Sequence, residues 1–226
     1  MFNGDLGSWD TSNINSMFQV FFACVSFNQD LSSWDVSGCS DFRSAFGGCT
    51  SLTSPNITNW DMSSATTINS MFNSATNYNE DISIWNVQNV QNFGGCFALA
   101  SSFNRPVGNW NLSSATHIGG NNQGMFDRAY AFQQDLSSWD ISGITNANQF
   151  MRLRSGANAY TTSNYDALLI GWESTLQVAY PSGVGYTPTI NIDFGSSNYT
   201  LGSAAETART NLIITYGWTI TDGGGI

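Results

Sequence analysis

Tryptophan returns on a fixed beat through the first two thirds of this chain, and that beat limits the fold more than any other property of the sequence. It stands at Trp9, Trp34, Trp60, Trp85, Trp110 and Trp139, in steps of 25, 26, 25, 25 and 29 residues. Seven residues before most of these is a large apolar residue: Phe2, Phe27, Tyr78, Phe103 and Phe132. Leu52 fills the place before Trp60, one residue further off. Twelve residues after the tryptophan comes a second apolar residue, at Phe21, Phe46, Phe72, Phe97 and Met151. In the fifth unit it is Phe126, displaced by the insertion "GGNNQG" (Gly119 to Gly124). Three residues later the side chain is small: Cys24, Cys49, Ala75, Ala100 and Ala129. Arg154 breaks that column, so the repeat ends near residue 153. A catalytic motif rarely needs six copies; a stacked structural unit does.

Within one unit, Leu31, Trp34 and Val36 follow an apolar-x-x-apolar-x-apolar pattern, and the alternation at Trp34–Val36 predicts a short strand with one buried face. Cys39, Phe42 and Phe46 then fall at gaps of 3 and 4, as do Ala65, Ile68, Phe72 and Val90, Phe93, Phe97, which is helical spacing. Ser37 and Ser63 stand where they would cap such a helix. Strand, turn, short helix or 3-10 segment, turn, at roughly 20–29 residues per unit, predicts an α/β fold: a leucine-rich-repeat-like right-handed solenoid with a parallel sheet on one face. Six units occupy residues 1–153, residues 154–164 read as a linker, and residues 165–226 as a βαβ capping segment. That segment contains a helix in "NYDALLIGWESTL", a strand in "PTINIDF", a helix in "SAAETARTNLIITYG" closed by Gly217, and a strand in "WTI". A cap is what the last coil of a solenoid needs. No comparable cap is expected at residue 1, where the chain enters in mid-repeat. The expectation there is a fragment, or a first coil that rests on something else.

Composition excludes several classes of function. Net charge is −10, charged residues make up 10% of the chain, and all six basic residues are arginine. Such a chain lacks the cations that displace phosphate counterions, so no nucleic-acid partner is expected. No apolar run reaches membrane-spanning length, and residues 1–30 carry no basic-then-apolar signal. The one histidine, His117, has no sequence signal of a catalytic partner, so no enzymatic activity is expected. One histidine without a close cysteine pair makes no zinc site, and neither glycine cluster has a phosphate-loop context. Cys24 and Cys49 share one phase, but equivalent side chains in stacked coils point the same way, which opposes a bridge; free buried thiols are expected. The sequons at Asn56, Asn111 and Asn198 matter only in a glycosylating host.

Two polar ladders remain. Asn3, Asn28, Asn79 and Asn104, with Asp5, Asp30, Asp81 and Asp135, are expected to satisfy backbone groups at turns. The second is Asp10, Asp35, Asp61, Asn86, Asn111 and Asp140, each directly after a repeat tryptophan. Alternation turns these outward, and three successive carboxylates repel mildly. A basic segment or a divalent cation such as calcium would relieve them, and a glycan's hydroxyls also suit an acidic and amide-rich row; no other cofactor is expected.

The stretches "AFGGCTSL", "FNQDLSSWDVS" and "MFNSATNYNEDISIW" resemble the BspA-like leucine-rich repeats of bacterial surface proteins. The likeness is to the subtype with a tryptophan in the strand, first described as a domain of unknown function in mycoplasma lipoproteins. It covers residues 1–153, and "GWTITDGG" resembles the terminal segment that follows such repeats in Bacteroidetes-type surface proteins. The resemblance implies an extracellular or surface-displayed protein in adhesion, bound to a protein or glycan. The second expectation is a structural subunit of a surface fibre, appendage or virion that packs against copies of itself.

Overall fold

A computed structural model describes residues 2–120 and 122–226. Met1 and one residue of the 119–124 insertion lie outside the described residues. Six repeat units lie side by side in one direction. A single parallel bridge per unit links Ser16 to Asp41, then Thr67, Asn92, His117 and Asn146. The bridge falls seven residues after each tryptophan. Trp34–Val36 belongs to no strand pair, so the hydrogen-bonded ladder runs elsewhere than the alternation predicted.

That ladder is built from the segments whose spacing predicted a helix. No helix occurs before Gly156 among the described residues. Instead, consecutive four-residue turns fill each segment: Ala45 N donates to Phe42 O at 3.1 Å and Cys49 N to Phe46 O at 3.1 Å. The third residue of each turn has positive φ, Ser44 at 53° and Gly48 at 76°, the signature of type II turns. Ser70 and Ser74, then Gly95 and Leu99, repeat the pair. Every fourth residue therefore points inward, as in a helix, while the backbone between remains free to pair outward. The apolar residue of each unit uses that freedom. Phe21 N reaches Ala45 O, Phe46 N reaches Met71 O, Phe72 N reaches Cys96 O, Phe97 N reaches Met125 O and Phe126 N reaches Phe150 O, all at 2.9 Å.

Tryptophan ties the units together a second time. The indole Nε1 of Trp34, Trp60, Trp85, Trp110 and Trp139 donates to the carbonyl of Leu6, Leu31, Ile57, Ile82 and Val107 at 3.0–3.2 Å. Each acceptor also closes its own unit's turn, as in Trp34 N to Leu31 O at 3.0 Å. An aromatic that buries its ring and still places an N–H on the neighbouring unit has to be tryptophan. Phenylalanines stack beside this column, Phe46–Phe72 at 5.6 Å and Phe72–Phe97 at 5.8 Å between centroids.

The C-terminal segment continues both ladders. It comprises helix α1 (Thr162–Ala179), strands β1 (Asn191–Asp193) and β2 (Asn198–Tyr199), helix α2 (Ala204–Ile214), and strands β3 (Thr219–Thr221) and β4 (Gly224–Gly225). Met151 N donates to Asp193 O at 2.7 Å, β1 pairs in parallel with β3, and β2 in parallel with β4. Trp172 of α1 donates to Leu136 O at 2.9 Å, taking the place of the next unit's tryptophan. A Cβ on Gly171 would lie 2.1 Å from Ser137 O, so glycine lets α1 close directly onto the sixth unit. The segment read as a linker is anchored: Arg154 and Tyr160 are buried, and Tyr160 Oη donates to Gln134 O at 2.5 Å. No helix among the described residues is long and apolar enough to cross a membrane.

Candidate functional site

Asp10, Asp35, Asp61, Asn86, Asn111 and Asp140 are all exposed, as the alternation predicted. They do not stand on a hydrogen-bonded strand. Each leads into a two-residue turn and accepts from the backbone N–H two residues on: Ser12 at 3.1 Å, Ser37 at 3.0 Å, Ser63 at 2.9 Å, Gln88 at 3.3 Å, Ser113 at 2.9 Å and Ser142 at 2.9 Å. This is the Asx turn. Ser37 and Ser63, placed as helix caps on spacing, thus serve these turns. One oxygen or amide of each row residue stays free toward solvent.

The row keeps the pitch of the tryptophans it follows, whose centroids are 6.2 Å apart at Trp9–Trp34 and 6.4 Å at Trp85–Trp110. Its middle is concave. Asp61 and Asn86, neighbours in the row, both line a cleft of about 220 Å³ together with Trp60, Met62 and Ile84. Ile84 is 67% exposed, an apolar side chain set in an otherwise polar row.

The serine hydroxyl, then the serine N–H, holds the carboxyls of Asp10, Asp35 and Asp61 below their ordinary value of 3.8; Asp35 opposes this slightly at Asp61. Asp30 is lowered by the Ser32 hydroxyl and then its N–H, and Asp81 by the Ser83 N–H and then its hydroxyl. A group that releases its proton more readily in the fold stabilises it fully above the ordinary value and loses that stabilisation as the pH falls through the lower folded value. The thermal midpoint is therefore expected to hold from neutrality down to about pH 4 and to drop below it. Melting followed by circular dichroism checks this; a midpoint unchanged near pH 2 would show that the turns do not depend on ionised carboxylates.

The other ladder has two parts. Asp5, Asp30, Asp81 and Asp135 form Asx turns with Gly7, Ser32, Ser83 and Ser137 at 2.8–2.9 Å. The asparagines instead bond across units: Asn3 Oδ1 accepts from Asn28 N at 2.9 Å, Asn28 Oδ1 from Thr53 N at 3.0 Å, and Asn104 Oδ1 from Gln133 N at 2.9 Å. His117 is a rung of the bridge ladder, its Nδ1 2.8 Å from Thr116 Oγ1. All four cysteines are unbridged; Cys49 Sγ donates to Phe21 O at 3.0 Å, and burial pushes its thiol up to about 12. Among the described residues no three of His, Cys, Asp and Glu converge, so a divalent cation on the row would meet at most two carboxylates.

The edge beside residue 16 differs in kind. The carbonyls of Ser16, Phe18, Val20 and Phe22 accept no hydrogen bond from any described residue, whereas Asp41, Arg43, Ala45 and Gly47 in the same places accept from the first unit. Phe18 and Phe22 are 51% and 53% exposed. Arg43 and Gly47 occupy those positions one unit on, so apolar side chains are particular to this edge.

Parallel units that share one hydrogen-bond pattern and one aromatic ladder define a tandem-repeat protein. The family model described as "Mycoplasma protein of unknown function, DUF285" matches residues 1–56 and again 40–164. The chain belongs to this family, a BspA-like one. No curated protein and no solved structure matches it.

Proposed function

We propose that the chain is a leucine-rich-repeat-like solenoid, closed by a cap of the kind that follows such repeats in Bacteroidetes-type surface proteins. It serves as a non-enzymatic, extracellular binding or adhesion module. Its partner is a protein or glycan on a cell surface, met along Asp10, Asp35, Asp61, Asn86, Asn111 and Asp140. The observation that carries this reading is the Asp61–Asn86 cleft, where the periodic polar row gains a concave floor and one exposed apolar side chain, Ile84. A repeat holds such contacts at a fixed pitch on an ordered backbone, so a long partner is met at little ordering cost. An acidic and amide row suits a basic segment better than a glycan, because the large rings are spent in the core. Each row residue supplies the acceptor of one exposed Asx turn, so Asp35→Ala with Asp61→Ala is expected to lower the melting midpoint only slightly and to weaken attachment to cells or purified partner several-fold. Attachment at wild-type strength in the double variant would remove the row from the binding surface.

The second reading is a structural subunit of a fibre, appendage or virion that packs against copies of itself. The carbonyls of Ser16, Phe18, Val20 and Phe22 and the exposed rings of Phe18 and Phe22 form the surface on which such a copy, or a preceding stretch of the same protein, would pair. Phe18→Ser with Phe22→Ser is expected to leave the melting midpoint within a few degrees and to abolish concentration-dependent assembly in analytical ultracentrifugation. A wild-type chain that stays monomeric at high concentration would sink this second reading and leave the first untouched.

A further inference from the structure

A separate site lies in the C-terminal segment, where α1 and α2 pack together and their final turns border an open cleft of about 430 Å³. Glu173 is part of its lining, with Gln177, Pro181, Asn211, Thr215 and Tyr216. Glu173 is only 9% exposed, and a carboxylate so placed is costly without a positive partner. Its partners are neutral. Gln177 Nε2 donates to Glu173 Oε1 at 2.5 Å and Asn211 Nδ2 donates to the same oxygen at 3.0 Å. Among the described residues no arginine or histidine forms an ion pair with it. Oε2 takes no donor from the protein and, unlike Glu80 Oε2, is not sealed from solvent, so it is the oxygen the cleft reaches.

The surroundings add negative charge. Both helices end beside the cleft, at Ala179 and Ile214, and neither has a basic residue in its last turn. A helix C-terminus carries about half a negative charge. Because both amides turn their NH₂ groups toward Glu173, Gln177 Oε1 and Asn211 Oδ1 remain acceptors. The cleft lining thus carries two amide oxygens besides the one acid, which has no cationic partner. Among the described residues no second acid, histidine or cysteine completes a metal-binding group, and a hard divalent cation takes six or more oxygens. A primary ammonium has three N–H donors and needs three acceptors.

We propose that this cleft binds a primary ammonium group carried on an aliphatic stem, with the nitrogen at Glu173 Oε2, Gln177 Oε1 and Asn211 Oδ1 and the stem against Pro181 and Tyr216. The chain contains no lysine, so a second copy of it supplies no such group. The source is a lysine side chain of another protein or a free polyamine.

The test is a titration of the whole chain with n-butylammonium, followed by ¹⁵N–¹H spectra. Saturable shifts are expected at the side-chain amides of Gln177 and Asn211 and at the Thr215 backbone. n-Butanol, which has the same stem without charge, should give none. Glu173→Gln is expected to weaken binding at least tenfold. Thr215→Lys, on the exposed rim, brings its own ammonium and should abolish binding even if Glu173→Gln does not fold. N-acetyl-lysine amide and spermidine distinguish the sources, the tighter of the two naming the one the cleft prefers. Non-saturating shifts, equal shifts with butanol, or undiminished binding in the Thr215→Lys variant would overturn the proposal.

Discussion

Trp60→Ala is expected to destabilise the chain by about 3–5 kcal/mol, the range for emptying a buried aromatic site. Trp60 is 5% exposed and packs against Phe42 and Phe46 of the preceding unit, each with its ring centroid 6.1 Å away. The cavity opens inside the stack, on the face where Trp60 meets the preceding unit. At roughly 2–4 °C per kcal/mol for a chain of this size, the midpoint should fall by about 6–20 °C. Two companions separate the causes. Trp60→Phe keeps most of the ring and removes the donor to Leu31 O, so its cost should be near 1 kcal/mol beyond lost volume. Trp9→Ala should cost much less, because Trp9 is 56% exposed and only one of its faces is stacked. If Trp9→Ala and Trp60→Ala melt alike, the tryptophans do not carry the stack in the way their hydrogen bonds indicate.

The tryptophan phase was legible because the ring is buried in every inner unit, so the core itself repeats. The small column at Cys49, Ala75 and Ala100 was legible for the same reason. The C-terminal elements follow their patterns closely, with α1 and α2 where the 3.6-residue spacing set them and Gly217 at φ 71° just beyond α2. The ladder's position was hidden by a coincidence of period. Two type II turns in succession bring Phe42 and Phe46 inward at the same interval as a helix would. The sign that separates them is positive φ, and only Gly48 and Gly95 announce it; Ser44, Ser70, Ser74 and Leu99 adopt it without glycine. Alternation is enough to turn the polar row outward, but it does not disclose the Asx turns. The signal was present in the recurring Asp-x-Ser of Asp35–Ser37, Asp61–Ser63 and Asp140–Ser142, whose serine N–H finds its acceptor two residues back. Glu173 and its amides escaped detection because Gln177 lies one turn along α1 and Asn211 on another helix, and nothing in sequence brings Asn211 to them.

Arg154→Ala is expected to uncouple the repeats from the segment that follows them. The side chain occupies the column filled by cysteine and alanine in the earlier units, yet it is fully buried. Burial lowers its guanidinium to about 10, which leaves it cationic at neutral pH. No carboxylate among the described residues pairs with it. It donates instead to Phe132 O at 2.5 Å and Asn158 O at 2.9 Å, and it lies 5.8 Å from the Tyr160 ring centroid. Its own carbonyl accepts from Ser196 N at 2.9 Å, and a Cβ on Gly195 would lie 2.3 Å from that carbonyl. One residue therefore joins the fifth-to-sixth unit connection, the 154–160 segment and the loop after β1. Truncation leaves the Phe132 carbonyl buried without this donor, releases that of the exposed Asn158 to solvent, and empties a volume, about 3–5 kcal/mol together. In a stack whose stability is a sum over neighbouring interfaces, a loss at one interface separates the melting of the two sides. Calorimetry should then show two transitions in place of one, with the Met151 and Phe194 amides exchanging early and the Phe46 and Phe72 amides late. Arg154→Met restores volume without the donors and should fall between the two. A single transition at the wild-type midpoint in Arg154→Ala would mean that α1, through Trp172 and the close contact of Gly171 with Ser137, suffices to hold the end of the stack.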